Sequence, residues 1–434
     1  MRDSLATCGN YYSMKISTYK PESITKCQTA DFDIPISAYI HIPFCRRRCY
    51  YCDFPVSVVG DKARGHNSGT IVQYVEMLCR EIEITRGFGK PLETVFFGGG
   101  TPSLLSVEQL SYILAVLEGK FGIADRAEIS MEMDPGTFDS THLKGYRDAG
   151  VNRISLGVQA FQDELLKYAG RSHTVADIFA AVELIRQIDV PNFSLDLISG
   201  LPHQTLEHWQ NSLETAIAIS PTHISVYDLI VEPVTAFARQ YKPGSQPLPT
   251  DNTTVKMYKL AQQVLTSEGY QHYEISNYAQ PGHQCRHNRV YWENRPYYGF
   301  GMGAASYLGG QRFTRERTRR EYYEWVTSGC AIDCAQISAD DILLETLMLG
   351  LRLASGLNLS ALAQQFGGKT LEQIWNCLQP YYRQGWVQIV GIDGKYIDIC
   401  DDQKLPLSGQ LRLTDPEGFL FSNTILAALF EQLE

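Results

Sequence analysis

The chain has 434 residues and a formal net charge of -10, with 44% hydrophobic and 20% charged residues, a balance that excludes a disordered or fibrous protein and permits a substantial buried core. Its length fits two or three units on a prior of ~100 to 200 residues each, and the acidic balance excludes broad electrostatic binding of nucleic acid, which needs Lys and Arg against phosphate. No apolar run approaches the ~18 residues of a membrane span, and the first residues lack the apolar stretch of a secretory signal, so a cytoplasmic protein is expected.

Residues 1–34 hold no sustained period of 2 or 3.6 and read as a loose N-terminal extension. Ile36 to Ile42 reads as a strand; Ile71, Val75, Leu78 and Ile82 recur at helical spacing, and Thr94 to Phe97 reads as a buried strand running into Gly98, Gly99 and Gly100. Ser106 with Gln109 is a capping-box signal for the helix that follows. Further strands are expected at Ala127 to Met133, Arg153 to Val158, Phe193 to Ile198 and His223 to Ile230, with helices near 140–149, 174–188 and 205–219. Six strand–helix units imply an α/β fold with a parallel sheet covered by helices. Right-handed crossovers curl such units into a partial (β/α)6 barrel, whose chemistry gathers at the C-terminal strand ends.

The barrel and its elaboration are assigned to residues 35–310, and the texture changes beyond them. Leu343 to Leu353, Leu359 to Phe366 and Leu371 to Tyr382 read as helices, and Trp386 to Val390 with Tyr396 to Ile399 as a hairpin around Gly391 to Gly394. Residues 311–434 are therefore expected to form a small winged-helix-like α+β domain. Its third helix lacks the positive charge that DNA binding demands, so a lid or docking module is the better reading.

Of the eleven cysteines, Cys8, Cys27, Cys79, Cys377 and Cys400 are isolated and read as small buried thiols; Cys330 and Cys334 form a C-x3-C with no third partner. Cys45, Cys49 and Cys52 differ, because they fall within eight residues directly after the first strand. Three thiolates on one loop suit an iron-sulfur cluster and leave one iron free for a small chelating molecule, as catalytic metal sites keep a position open. Arg46, Arg47 and Arg48 are expected to ease thiolate formation. The competing reading is zinc, with His41 as the nearest fourth ligand.

The C-x3-C-x2-C pattern, with aromatic Tyr51 before the last cysteine and Gly98-Gly99-Gly100-Thr101-Pro102 after the second strand, resembles the radical S-adenosylmethionine superfamily. The resemblance implies a 4Fe-4S cluster on Cys45, Cys49 and Cys52 with S-adenosylmethionine at its open iron. It further implies cofactor contacts from Tyr39, Tyr51, Gly99, Gly100, Thr101, Glu132, Gln159, Arg171 and Asp196. The alternative for the polar residues is that they cap helices or pair with one another, Arg171 with Asp196 for example.

Tyr39-Ile-His-Ile-Pro-Phe-Cys45, Leu156-Gly-Val-Gln159 and Asp196-Leu-Ile-Ser-Gly-Leu-Pro202 narrow the resemblance to the oxygen-independent coproporphyrinogen oxidase family, from about Ser37 to the C-terminus. The dehydrogenase branch of that family has a further cysteine two residues after the third ligand. This chain has Asp53-Phe54, the pattern of the heme chaperone branch, HemW, and His287-Asn288-Arg289-Val290-Tyr291-Trp292 matches the HNxxYW motif of that branch. The resemblance therefore implies heme binding through His287, Asn288, Tyr291 and Trp292. A neutral imidazole is a common axial ligand, and the two aromatic rings suit a flat porphyrin. A structural histidine in an aromatic cluster stays open, as does Cys285 as a competing ligand. Arg312, Arg315, Arg317, Arg319 and Arg320 are either partners for porphyrin propionates or a solvated face.

By this resemblance the chain holds heme for a recipient hemoprotein, through which it would meet a membrane transiently; no nucleic-acid partner is expected and no catalytic residue is assigned. The enzymatic alternative is oxidative decarboxylation of coproporphyrinogen III, and a nucleic-acid regulator acting through the winged unit is the third reading.

Overall fold

The computed structural model describes residues 34–332, 338–399 and 405–433. The N-terminal extension up to residue 33, with Cys8 and Cys27, lies outside them, as do Cys334 and Cys400. Six strands form where the pattern put them: β1 Ser37–Ile42, β2 Leu92–Gly99, β3 Ile123–Met133, β4 Arg153–Gln159, β5 Asn192–Ser199 and β6 His223–Asp228. All five neighbouring pairs from β1 to β6 are parallel. The hairpin β7 Gln271–Glu274 and β8 Asn277–Ala279 extends the sheet antiparallel beyond β6, and β9 Tyr298–Phe300 joins the outer side of β1 in parallel. The order β9-β1-β2-β3-β4-β5-β6-β8-β7 makes a partial barrel of the expected α/β class. The added strands are three or four residues long, too short to announce themselves by alternation.

One connecting helix starts at the cap expected for it. Ser106 and Gln109 form a capping box, and Thr174 with Asp177 and Thr205 with His208 form two more. Helices Ser140–Asp148, Val175–Ile188 and Leu206–Ile219 follow the predicted ranges within a residue.

Successive strand residues point to opposite faces, and here the two faces differ in chemistry. Ala38, Ile40, Ile42, Val95, Phe97, Met131, Ile154, Leu156, Leu195 and Ile224 face the helices, all fully buried in one apolar core. Burial of each such large side chain contributes about 1.5–3 kcal/mol. The other face carries Tyr39, His41, Thr94, Phe96, Glu128, Ser130, Glu132, Arg153, Ser155, Ser194, Asp196, His223 and Ser225. Strands buried on both faces normally read as continuous apolar runs; the polar inward face therefore marks a lined chamber rather than a second packed core.

A second apolar core runs from Leu343 to Leu429, joined by Tyr258. It is built by helices Ala339–Gly350, Leu359–Phe366, Gly368–Arg383 and Ser422–Leu433 with strands Leu357–Asn358, Val387–Val390 and Gln410–Leu413. The expected hairpin is altered: Val387–Val390 pairs along its length with Gln410–Leu413, while Tyr396 meets Val390 by one isolated bridge. The later strand wins because Leu411 and Leu413 bring buried side chains to the core, whereas Tyr396 is 70% exposed. Helix Arg319–Thr327 packs on the first core through Tyr322 and Val326, although its sequence lies beyond residue 310. Its anchor is Glu81, fully buried, which accepts from Tyr322 Oη at 2.7 Å and Arg315 Nε at 2.8 Å. Among the described residues no helix is long and apolar enough to cross a membrane.

Candidate cluster and cofactor site

The cysteine loop leaves β1 at the C-terminal end of the sheet and is held by its backbone. Thr101 N–H donates to Phe44 O at 2.7 Å, Val59 N–H to Cys45 O at 2.9 Å and Tyr50 N–H to Ala169 O at 3.0 Å. The glycine run packs against this loop. A methyl group on Gly100 would stand 2.9 Å from Cys45 Sγ, and one on Gly99, at φ +114°, would stand 2.5 Å from the His41 ring. Glycine is therefore required here by the approach of the loop as much as by a ligand.

Cys45, Cys49 and Cys52 are free, half-buried thiols. Burial pushes the Cys52 thiol up to about 11, and burial with Asp134 nearby raises Cys45 further. Arg48 does lower Cys52, as expected of the arginine triplet, but burial outweighs it. Arg46 donates to Gly136 O at 2.9 Å, Arg47 to Asp61 at 3.0 Å, and Arg48 to Cys52 O and Phe54 O at 3.2 Å, so their guanidinium groups tie down backbone and a surface carboxylate. The cation that meets a sulfur is Arg171, whose Nη1 lies 3.4 Å from Cys49 Sγ.

The zinc alternative meets two obstacles. His41 spends Nδ1 on Tyr39 Oη at 3.0 Å and Nε2 on Pro55 O at 3.2 Å. Among the described residues no three His, Cys, Asp or Glu side chains are grouped to hold one ion; a four-iron cluster asks instead for one thiolate on each of three irons. Three free thiols on one loop, with a guanidinium beside one sulfur, fit an anionic cluster.

Beyond the loop, the cofactor residues named from sequence gather along the polar face. Gly99 N–H donates to Glu132 Oε2 at 2.9 Å, and Thr101 Oγ1 to Asp134 at 3.1 Å. Arg171 pairs with Asp134 and donates to Gly157 O at 2.9 Å, with Tyr51 Oη 3.4 Å away. The suggested Arg171–Asp196 pair is thus replaced by Arg171–Asp134. Asp196 instead accepts from Ser155 at 2.8 Å and from Ser194 at 3.3 Å. Gln159 ends β4 at a register shift, with a left-handed φ of 70° that an L-residue adopts only under constraint. Asp134 was not singled out from sequence. The signal for it was its place two residues after Glu132, just past the strand end.

Burial, with Asp196 and Asp134 close by, pushes Glu132 up to about 8 against the pull of the Gly99 N–H. The folded chain therefore keeps a proton that the unfolded chain releases near the ordinary value of 4.5, and stability declines as pH rises from there to about 8. Glu132→Gln is expected to flatten this decline, read as the pH dependence of the thermal midpoint; an identical slope in the variant would remove Glu132 as its source.

The HNxxYW segment forms helix Arg286–Trp292. His287 is fully buried and neutral, its value lowered to about 3 by burial. Its Nδ1 lies 2.7 Å from Thr94 Oγ1 and its Nε2 2.9 Å from Tyr291 Oη. Phe96 stacks on it at 5.1 Å, so the ring sits among aromatic side chains. Asn288, Tyr291 and Trp292 are half-buried. Cys285 is buried, donates to Glu128 at 3.5 Å and is pushed up to about 12, the opposite of a ready thiolate ligand. In the arginine run, Arg315 is buried against Glu81, and Arg312 meets Glu345 at 2.8 Å and Asn294 at 2.7 Å. Both are already paired within the protein; Arg317 is exposed and donates to Asp53 O at 3.0 Å.

Comparison with known proteins follows the same lines. Residues 39–216 match the radical SAM superfamily profile and residues 337–391 the HemN C-terminal domain. Fold and cysteine loop together define a radical S-adenosylmethionine protein. The chain is 48% identical over 411 residues to the heme chaperone HemW of Synechocystis sp., spanning 94% of this chain and 99% of that one. It is 38% identical to the heme chaperone HemW of Bacillus subtilis over 76% of this chain and 87% of that one. Among solved structures, coproporphyrinogen III oxidase (HemN) from Escherichia coli, described as a radical SAM enzyme, superposes with a TM-score of 0.76 at 25% identity, covering 92% of this chain and 90% of that one. The chain belongs to the HemW family.

Proposed function

We propose that this protein is a heme chaperone that carries a 4Fe-4S cluster on Cys45, Cys49 and Cys52 and binds S-adenosylmethionine in the polar chamber, and that it passes heme to a hemoprotein. The observation that carries the reading is the 48% identity across 99% of the length of the Synechocystis heme chaperone. The local sequence supports it, because Asp53-Phe54 stands where the dehydrogenase branch has a further cysteine.

When bound, the cluster and S-adenosylmethionine supply one-electron chemistry that no side chain provides. The chain's own residues orient and enclose. Cys45, Cys49 and Cys52 hold the irons, and Arg171 offers positive charge beside Cys49. Gly99, Gly100 and Thr101 present backbone at the strand end, with Tyr39 and Tyr51 flanking them. Glu132 and Asp196 accept hydrogen bonds from hydroxyl groups, and Gln159 closes the rim. Heme comes to this chain through the heme chaperones it resembles; the hemoprotein recipient and the cytoplasm as the place of action are part of the proposal, and a membrane would enter only with a membrane-bound recipient.

The second reading, coproporphyrinogen III oxidation, is favoured by the TM-score of 0.76 to the Escherichia coli enzyme. One experiment separates the two. Reconstituted protein with reductant and S-adenosylmethionine is offered coproporphyrinogen III in one vessel and heme in another, all without oxygen. Stoichiometric heme binding with no porphyrin product is expected; turnover to protoporphyrinogen IX, or no retained heme, would reverse the assignment.

A further inference from the structure

Past the end of β3 the chain turns, and Asp134 stands on the turn. Its N–H donates to Ser103 Oγ at 3.4 Å, and its carbonyl accepts from Thr137 Oγ1 at 2.6 Å and from Thr137 N–H at 3.2 Å. Ser103 and Thr137 are themselves buried and bonded to each other at 2.6 Å. The carboxylate is thus offered from a backbone held on both sides. One oxygen, Oδ2, accepts from Thr101 Oγ1 of the glycine turn at 3.1 Å; the other, Oδ1, accepts from Arg171 Nη2 at 2.5 Å.

The guanidinium of Arg171 is gripped at one nitrogen and left open at another. Nη2 carries Asp134 and also donates to Gly157 O at 2.9 Å, while Nη1 lies 3.4 Å from Cys49 Sγ and 3.4 Å from Tyr51 Oη. The side chain is only 7% exposed, and its buried Nε has no hydrogen-bond partner among the described residues; buried donors normally find one. Gly157 makes room for the pair. A methyl group there would stand 2.9 Å from Asp134 Oδ1 and 3.1 Å from Arg171 Nη2, and φ at this glycine is not left-handed, so space and not backbone conformation calls for glycine. A lone carboxylate beside an anionic cluster would repel it. Paired with Arg171, Asp134 adds no net charge and supplies direction to the guanidinium instead.

We propose that Asp134 is a positioning residue of the S-adenosylmethionine pocket: seated against Gly157, its carboxylate fixes the Arg171 guanidinium beside Cys49 and keeps Nε free for the cofactor. The proposal rests on the reading of the polar chamber as the place where S-adenosylmethionine binds. Asp134 acts through Arg171, and the strand glycine between Leu156 and Val158 is the seat of the pair.

The test uses full-length, anaerobically reconstituted protein as wild type, Asp134→Asn, Asp134→Glu and Gly157→Ala. S-adenosylmethionine affinity is read by equilibrium dialysis and by the change it causes in the EPR signal of the reduced cluster; iron, sulfide and the thermal midpoint are measured on the same samples. Asp134→Asn keeps an oxygen for Thr101 and loses the charge that holds Arg171. Gly157→Ala keeps both charges and pushes the pair aside. They are expected to weaken S-adenosylmethionine about tenfold and about fivefold, the range of one hydrogen bond with and without charge assistance. Asp134→Glu, which restores a carboxylate, recovers part of the loss, and iron and sulfide stay at the wild-type level throughout. Unchanged or tighter S-adenosylmethionine in Asp134→Asn, or unchanged affinity in Gly157→Ala, overturns the proposal. So does an affinity that falls only in step with iron content and thermal midpoint, the mark of a pair that merely supports the fold, or an Asp134→Glu no better than Asp134→Asn. Should Asp134→Asn fail to take up a cluster, Gly157→Ala, which keeps every polar group, decides alone. A wild-type protein that binds no S-adenosylmethionine overturns the chamber reading instead, and is recognised before any variant is compared.

Discussion

A variant with Cys45, Cys49 and Cys52 all replaced by serine is expected to keep its helix content and yet to leave anaerobic reconstitution with no iron, no sulfide and no broad visible absorption. Serine hydroxyls cannot replace the thiolates that ligate iron. The fold survives because the loop hangs on backbone bonds: Ser57 N–H to Pro43 O at 2.6 Å, Thr101 N–H to Phe44 O at 2.7 Å and Tyr50 N–H to Ala169 O at 3.0 Å. None of these uses a sulfur. Iron and sulfide at wild-type levels in the variant, measured by colorimetric assay, would end the cluster assignment, and bound zinc in the wild type would end it sooner.

Arg315→Met is expected to destabilise the protein by about 3–5 kcal/mol, the usual penalty for stripping one partner from a buried ion pair. Arg315 Nε lies 2.8 Å from Glu81 Oε1, and the two side chains are 2% and 0% exposed. The variant leaves Glu81 with the Gly301 N–H and the Tyr322 hydroxyl but no cation. Pairing the change with Glu81→Gln is expected to recover much of the loss, because the uncompensated charge is then gone. Urea unfolding of the two single variants and the double variant closes the thermodynamic cycle; a wild-type midpoint for Arg315→Met would show that the pair is not buried in solution.

The six long strands and their helices were legible because each combines alternation or an apolar run with a cap such as Ser106–Gln109. The short strands β7 to β9 were not, since three residues such as Tyr298–Phe300 carry no period. The cysteine trio could be read from spacing alone. The arginines next to it could be read only in part: Arg48 lowers Cys52, yet the three guanidinium groups bond backbone carbonyls and Asp61, and the cation at Cys49 comes from a loop 122 residues away, because adjacency in sequence says nothing about where a long side chain turns. The surroundings of His287 were not legible for a related reason. A motif names the residue, but its complete burial and its two hydrogen bonds depend on Thr94 and on the helix register that brings Tyr291 one turn later.

The cysteine loop is tied across the mouth of the barrel, with Tyr50 N–H on Ala169 O and Phe237 N–H on Tyr50 O, and its Arg46 on Gly136 O. It is therefore not a portable cassette. Transplanting residues 37–59 into another parallel barrel would carry the sulfurs but leave behind the anchor points that follow strands three, four and six, and the grafted loop would lose its shape.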